Sequence, residues 1–121
     1  MRTITTEEIE EAVYGLAKKA CLRLTPSCTR AIAQAAEREE ADSAARFALE
    51  TVLQNAQTAA EEQMAVCQDT GYAVVLAELG QDVHIEGKLL SDAVSDAVAR
   101  AYADCCFRKS ICDPLTRVNT A

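Results

Sequence analysis

The 121-residue sequence predicts an α+β fold: N-terminal helices, then a short β-hairpin or small sheet, then a further helix. Three observations carry this. Apolar residues recur at helical spacing through the first half. After residue 62 the pattern changes to a run rich in valine and leucine, bracketed by Gly71 and Gly80. A helical period then returns near Leu89. The chain is long enough for one domain with one core. It divides into a helical segment at 1–62 and a segment at 63–121 that holds a polar turn, the small β element, a helix and a loop.

Ile9, Val13, Leu16 and Ala20 follow at steps of four, three and four, which marks the buried face of a first helix. Thr5 with Glu8 three residues on makes a capping box, and Ile4 with Ile9 takes the staple positions. Glu7, Glu8, Glu10 and Glu11 near the start and Lys18 and Lys19 near the end suit the helix dipole. Thr25-Pro26 stops this helix, because the residue before proline avoids the α region. The same pair starts a second one, with Thr25 as cap and Pro26 in the first turn. That helix is expected from 26 to about 40, its apolar side formed by Ala31, Ile32, Ala33, Ala35 and Ala36. A third is expected from about 42 to 57, burying Ala45, Phe47, Ala48, Val52 and Leu53, with 55–62 as a frayed end or loop.

Met64-Ala65-Val66, a polar turn at 67–71 and the run at 72–79 read as strand, turn, strand. The alternation at 81–86 offers a partner strand, with Gly80-Gln81 as hairpin turn and Gly87 as its end. The last helix, from about 89 to 106, presents Val94, Val98, Ala101, Tyr102 and Cys105 to the core. The tail from Phe107 onward has no period and reads as loop.

Composition excludes several functions. Twelve basic against nineteen acidic side chains leave a formal charge of −7 with His84 neutral. No surplus of cations exists to displace phosphate counterions, so nucleic acid is not the expected partner. No apolar stretch is long enough to span a membrane, and the acidic N-terminus does not resemble a secretory signal. The six cysteines, at 21, 28, 67, 105, 106 and 112, show no C-x-x-C pair and no compact disulfide framework. The expectation is reduced thiols in a cytoplasm.

The segment Cys67-Gln68-Asp69-Thr70-Gly71 concentrates a thiol, an amide, a carboxylate and a hydroxyl before a glycine. A turn there lets several of them point into one space. Spacing alone also allows a polar turn around a structural cysteine.

Residues 63 to 120 resemble the α subunit of class I fumarate hydratases and the related L-tartrate dehydratases, the iron–sulfur hydro-lyases. Cys67-Gln68-Asp69-Thr70-Gly71 is similar to the family's cluster-ligand signature, and Gly80 through Gly87 to the stretch that follows it. Arg108-Lys109-Ser110, Asp113-Pro114-Leu115 and Asn119-Thr120 resemble its substrate-loop region. Several segments in the same order are far more specific than any one of them.

The resemblance implies a [4Fe–4S] cluster held by three thiolates, with one iron left open as Lewis acid on the hydroxyl of a 2-hydroxy dicarboxylate. It implies that Cys67 is one cluster ligand and that Gln68 and Asp69 reach the substrate. Asp69 would transfer a proton or orient the leaving hydroxyl. Arg108 would clamp a substrate carboxylate through its planar fork. Each residue has a plainer role open to it. Cys67 could be a buried thiol, Asp69 a turn cap, and Arg108 a charge at a helix end. His84 reads as hydrogen-bonded support; Cys21, Cys28, Cys105, Cys106 and Cys112 read as structural.

One thiolate does not hold a [4Fe–4S] cluster. The family's other two cluster cysteines lie beyond the matched segment, and its usual glycine after Asn-Thr is Ala121 here. The expectation is therefore an N-terminal portion of an α subunit that is inactive alone. It would need a β subunit or C-terminal domain, and its alanine-rich helices suit a homodimer. Arg108-Lys109-Ser110 with Asp113-Pro114-Leu115 leans toward fumarate over tartrate. A non-catalytic helical interaction module that kept the fold is the alternative, and a small thiol-based redox or metal-binding protein a third reading.

Overall fold

The computed structural model describes residues 2–119. In chain order the elements are β1 (Arg2–Thr5), α1 (Thr6–Leu22), α2 (Pro26–Arg38), α3 (Ala44–Glu62), β2 (Val83–Glu86) and α4 (Leu90–Asp104). The α+β class stands, with the β element in its small-sheet form. Its construction differs from the expected hairpin. β2 pairs in parallel with β1, from Arg2 opposite Val83 to Thr5 opposite Glu86. Residues 72–79, read as a strand from composition, form no regular element, and Val74, Leu76 and Leu79 are exposed. Strand preference largely expresses packing against neighbouring strands, and none of the described residues flanks this run as one.

Caps set the helix starts. The Thr5 amide donates to Glu8 Oε2 at 2.8 Å and the Glu8 amide donates to Thr5 Oγ1 at 3.3 Å, which completes the capping box. Thr25 Oγ1 accepts from the Cys28 amide at 3.2 Å, with Pro26 in the first turn of α2. Ser43 Oγ accepts from the Arg46 amide at 3.1 Å, so α3 begins slightly later than expected. It also runs on through 55–62, where a frayed end or loop was expected. Ala56, Ala59 and Ala60 are strong helix formers, and Gln57 donates to Glu61 one turn on at 2.8 Å. The helix closes at Gln63, whose φ of 55° is left-handed, with the Met64 amide donating to the Ala59 carbonyl at 2.9 Å.

Contacts divide the chain into two compact units, and the boundary falls within α1. One unit comprises the chain up to Lys19 together with everything described from Gln68 onward. Its core is small-residue packing. Ala93, Ala97 and Ala101, at successive steps of four, are fully buried along α4, joined by Thr6, Val13 and Phe107. Alanines at that spacing let helix backbones approach closely. Val94, Val98, Tyr102 and Cys105, expected as the inward face, flank this row and are half-buried. Lys88 bridges Glu10 at 2.6 Å and Asp96 at 2.5 Å, Arg100 pairs with Glu11 at 2.7 Å, and the Arg100 guanidinium lies 4.4 Å from the Tyr14 ring centre. These contacts tie the first part of α1 to α4 and to the loop before it.

The other unit, Ala20–Cys67, is built on α2 packed against α3. Ala36 and Ala59 are buried there. Asn55 Nδ2 donates to the Val66 carbonyl at 2.9 Å, and the Val66 amide donates to the Cys21 carbonyl at 3.0 Å.

The buried faces of α3 and α1 also differ from expectation. In α3, Phe47 is 74% exposed and Val52 45%, while Arg46, Leu49, Leu53, Ala56 and Ala59 turn inward. The true stripe includes the aliphatic stem of Arg46, whose charge is carried outward to Glu50 at 2.8 Å. In α1, Leu16 and Ala20 are exposed, whereas Ile9, Val13 and Ala17 turn inward and Leu22 is fully buried.

Candidate functional site

The turn at 67–71 lies between α3 and β2, outside any regular element, so side-chain bonds rather than a backbone ladder fix its position. Within the first unit, residues 69–71 are stitched to the end of α4 and to the loop after it. Thr70 Oγ1 donates to the Arg108 carbonyl at 2.7 Å. Ser110 Oγ donates to Asp69 Oδ1 at 2.9 Å. From α4, the Tyr102 hydroxyl reaches the carbonyls of Thr70 at 3.2 Å and Gly71 at 3.4 Å. Gly71 has φ of +64°, the left-handed conformation that lets the chain turn away after Thr70.

The α4 end is itself well held. Tyr102 and Phe107 meet edge to face, with centroids 5.6 Å apart. Phe107 is buried, and its amide donates to the Tyr102 carbonyl at 2.9 Å. Cys106 takes a left-handed φ of 54°, which reverses the chain between the helix and Arg108. Arg108 therefore lies in a loop beyond Asp104, not in the last helical turn. Its side chain is exposed and makes no ion pair among the described residues.

The structure thus brings the segments of Asp69 and Arg108 side by side. Gln68 is exposed beside them in sequence. Cys67 ends the other unit and is exposed, so the thiol is not sealed in a core. No disulfide links the cysteines among the described residues. An open, mostly apolar groove of about 1000 Å³ runs along α4, lined by Tyr72, Val75, Val94, Val98, Tyr102 and Ser110.

His84 sits on β2, exposed, with Thr3 as its register partner. Asp113 organises the terminal loop. Its Oδ1 accepts from the Leu115 amide at 2.9 Å, the Thr116 amide at 2.7 Å and the Thr116 hydroxyl at 3.0 Å. Those donors, the Thr116 amide foremost, hold its pKa below the ordinary carboxylate value. Cys112 and Asn119 close the loop as an antiparallel bridge. Thr120, paired with Asn119 in the sequence motif, lies outside the described residues. Away from the site, hydrogen bonds to Asp96 and Glu10 raise the Lys88 pKa, and the Glu11 bond raises that of Arg100. Desolvation, then the bond to Asp104, raises the Tyr14 phenol.

Thr70, Tyr102 and Ser110 were not singled out by sequence reasoning as anchors. Thr70 and Ser110 did fall inside the quoted motifs, but a hydroxyl's partner is set by the fold. Tyr102 was assigned to the core; its ring fits that role and its hydroxyl does not.

No three His, Cys, Asp or Glu side chains converge as a metal site among the described residues. No helix of those residues is long and apolar enough to cross a membrane.

The chain is 26% identical over 113 residues to a Methanocaldococcus jannaschii protein named for the alpha subunit of L(+)-tartrate dehydratase. The alignment covers 93% of this chain and 39% of that relative. It is 30% identical over 114 residues to a Geobacillus stearothermophilus protein named for class I fumarate hydratase, covering 94% of this chain and 22% of the relative. The chain thus spans well under half the length of these two relatives. The model of the fumarate hydratase (Fumerase) family matches residues 10–121, which takes in the Cys67–Gly71 turn, the Arg108 loop and the helices that carry them. The protein belongs to the fumarate hydratase family.

Proposed function

We propose that this chain supplies part of the active site of a hydro-lyase that reversibly hydrates fumarate to malate, or dehydrates a related 2-hydroxy dicarboxylate such as tartrate. One observation carries the reading: Asp69 and Arg108 stand on two segments joined by the Thr70–Arg108 and Ser110–Asp69 hydrogen bonds. A guanidinium and a carboxylate carried on these adjoining segments supply a charge to bind a small diacid and a group to move its proton. Arg108 binds a substrate carboxylate through paired N–H donors. Asp69 moves the proton at the neighbouring carbon or orients the leaving hydroxyl. Gln68 adds an amide that hydrogen-bonds the substrate. Family membership supports the reaction class, and the two relatives' names differ over fumarate and tartrate.

The enzyme in this reading depends on a [4Fe–4S] cluster, with Cys67 as one thiolate. The described residues do not by themselves fit that group, because a cluster of this kind needs three thiolates and no such set converges here. The remaining ligands would come from the rest of the enzyme, a β subunit or C-terminal domain, and two α subunits can pair through the alanine-rich helices. The setting proposed is the cytoplasm.

The test is turnover. After anaerobic cluster reconstitution, the 121-residue chain alone is expected to convert no fumarate. Robust turnover would overturn the requirement for further chain. In the assembled enzyme, Asp69→Asn is expected to lower kcat about 100-fold or more. Arg108→Lys, which loses the paired geometry, is expected to raise KM about tenfold or more. Wild-type kinetics in both variants would overturn the site.

A further inference from the structure

We propose that Ser110 is a positioning residue that holds the Asp69 carboxylate in one orientation for reaction; the inference rests on the hydro-lyase reading of Asp69.

The Ser110 hydroxyl has a single hydrogen and two acceptors in range, Asp69 Oδ1 at 2.9 Å and the Arg108 carbonyl at 3.4 Å. The carbonyl already accepts from Thr70 Oγ1 at 2.7 Å. The nearer acceptor is also the charged one, and charge-assisted bonds are the stronger. The hydrogen therefore goes to Asp69. Asp69 is exposed and belongs to no helix or strand, so its backbone leaves several side-chain rotamers open. The Ser110 bond selects one of them. It engages Oδ1, and Oδ2 accepts no protein hydrogen bond among the described residues. One carboxylate oxygen is held while the other remains available to a reacting group.

This bond spans 41 residues of sequence, yet it is not alone in keeping the segments together. Thr70 binds the Arg108 carbonyl, and the Tyr102 hydroxyl reaches the carbonyls of Thr70 and Gly71. Those bonds survive removal of the serine hydroxyl. What is lost is the orientation of the carboxylate, and a misplacement of the order of 1 Å at a reacting group can cost about 100-fold in rate.

The experiment uses the enzyme assembled with its remaining chain, and compares Ser110→Ala, Ser110→Thr, Asp69→Asn and the double variant S110A/D69N. Ser110→Ala is expected to lower kcat about tenfold or more with KM for fumarate within about twofold, because a reacting group is misplaced while substrate contacts stay. Ser110→Thr, which keeps the hydroxyl, should restore kcat. The double variant should fall no further than Asp69→Asn alone. Hydrogen–deuterium exchange at 68–72 should be unchanged in Ser110→Ala and should rise in Thr70→Val. Three results overturn the inference: wild-type kcat in Ser110→Ala while Asp69→Asn is impaired, additive losses in the double variant, or exchange in Ser110→Ala as fast as in Thr70→Val. Wild-type kcat in Asp69→Asn instead overturns the hydro-lyase reading on which the inference depends.

Discussion

Gly87 lies directly against Thr6: a β-carbon on the glycine would collide with the threonine hydroxyl and press on its Cβ and methyl. Gly87 also has φ of +121°, a conformation that side chains avoid. Thr6 is 1% exposed and opens α1, so this close approach seats the end of β2 on the start of the first helix. Two separate physical reasons thus require glycine at one position.

Gly87→Ala is expected to destabilise the protein by about 2–4 kcal/mol, combining backbone strain with overpacking against a buried neighbour. Urea unfolding of the variant measures it. A loss below about 0.5 kcal/mol would mean that Thr6 and the turn move apart easily.

Tyr102→Phe keeps the edge-to-face contact with Phe107 and removes the hydroxyl that reaches Thr70 and Gly71. A loss of about 1 kcal/mol is expected from the bond. Faster amide exchange confined to the neighbourhood of 68–72 would locate the effect. Unaltered exchange there would show that Thr70 alone anchors the segment.

Ala97 is 1% exposed in the middle of the alanine row of α4. Ala97→Leu should cost about 1–3 kcal/mol, since added methylenes have no free volume to enter. The same enlargement at exposed Ala99 should fall within about 0.5 kcal/mol of the parent. Thermal unfolding of the pair distinguishes a close helix contact from a loose one.

The terminal loop should respond to acid. Its donors bind the ionised form of Asp113 and lower its pKa from an ordinary 3.8. A carboxylate whose folded pKa is depressed adds stability above its unfolded value and loses it as pH falls through the folded one. The loop is therefore expected to stay ordered near neutrality and to loosen on acidification below about pH 4. Amide exchange at Leu115 and Thr116 against pH reads this out, and Asp113→Asn should abolish the dependence. A loop that loosens equally in that variant would assign the effect to other groups.

Local rules read the helices well because their determinants are local. Thr5 with Glu8, and Thr25 with Pro26, carry their caps within three residues, and the structure uses both. The β element was legible as β2 but not as a pair. Its partner lies at the other end of the unit, and nothing local in Arg2–Thr5 distinguishes a strand from a helix leader. Choosing the largest apolar groups misplaced the inward face of α3. There Phe47 stays outside and Arg46 turns in, a choice made by packing against α2. At the site, the sequence motifs singled out Asp69 and Arg108, whose segments the structure sets side by side. The hydroxyls of Tyr102 and Ser110 became meaningful only once their acceptors were known.

Pairing β1 with β2 also constrains how the chain folds as it is made. In synthesis the first strand precedes its partner by some eighty positions. Until β2 emerges, Arg2–Thr5 has no ladder to join and α1 lacks Gly87 against its first turn. The α2–α3 pair, whose contacts are near in sequence, can form while synthesis continues. Translation thus imposes an order in which the intervening helical pair can mature first, and the two-stranded sheet forms only once β2 has been made.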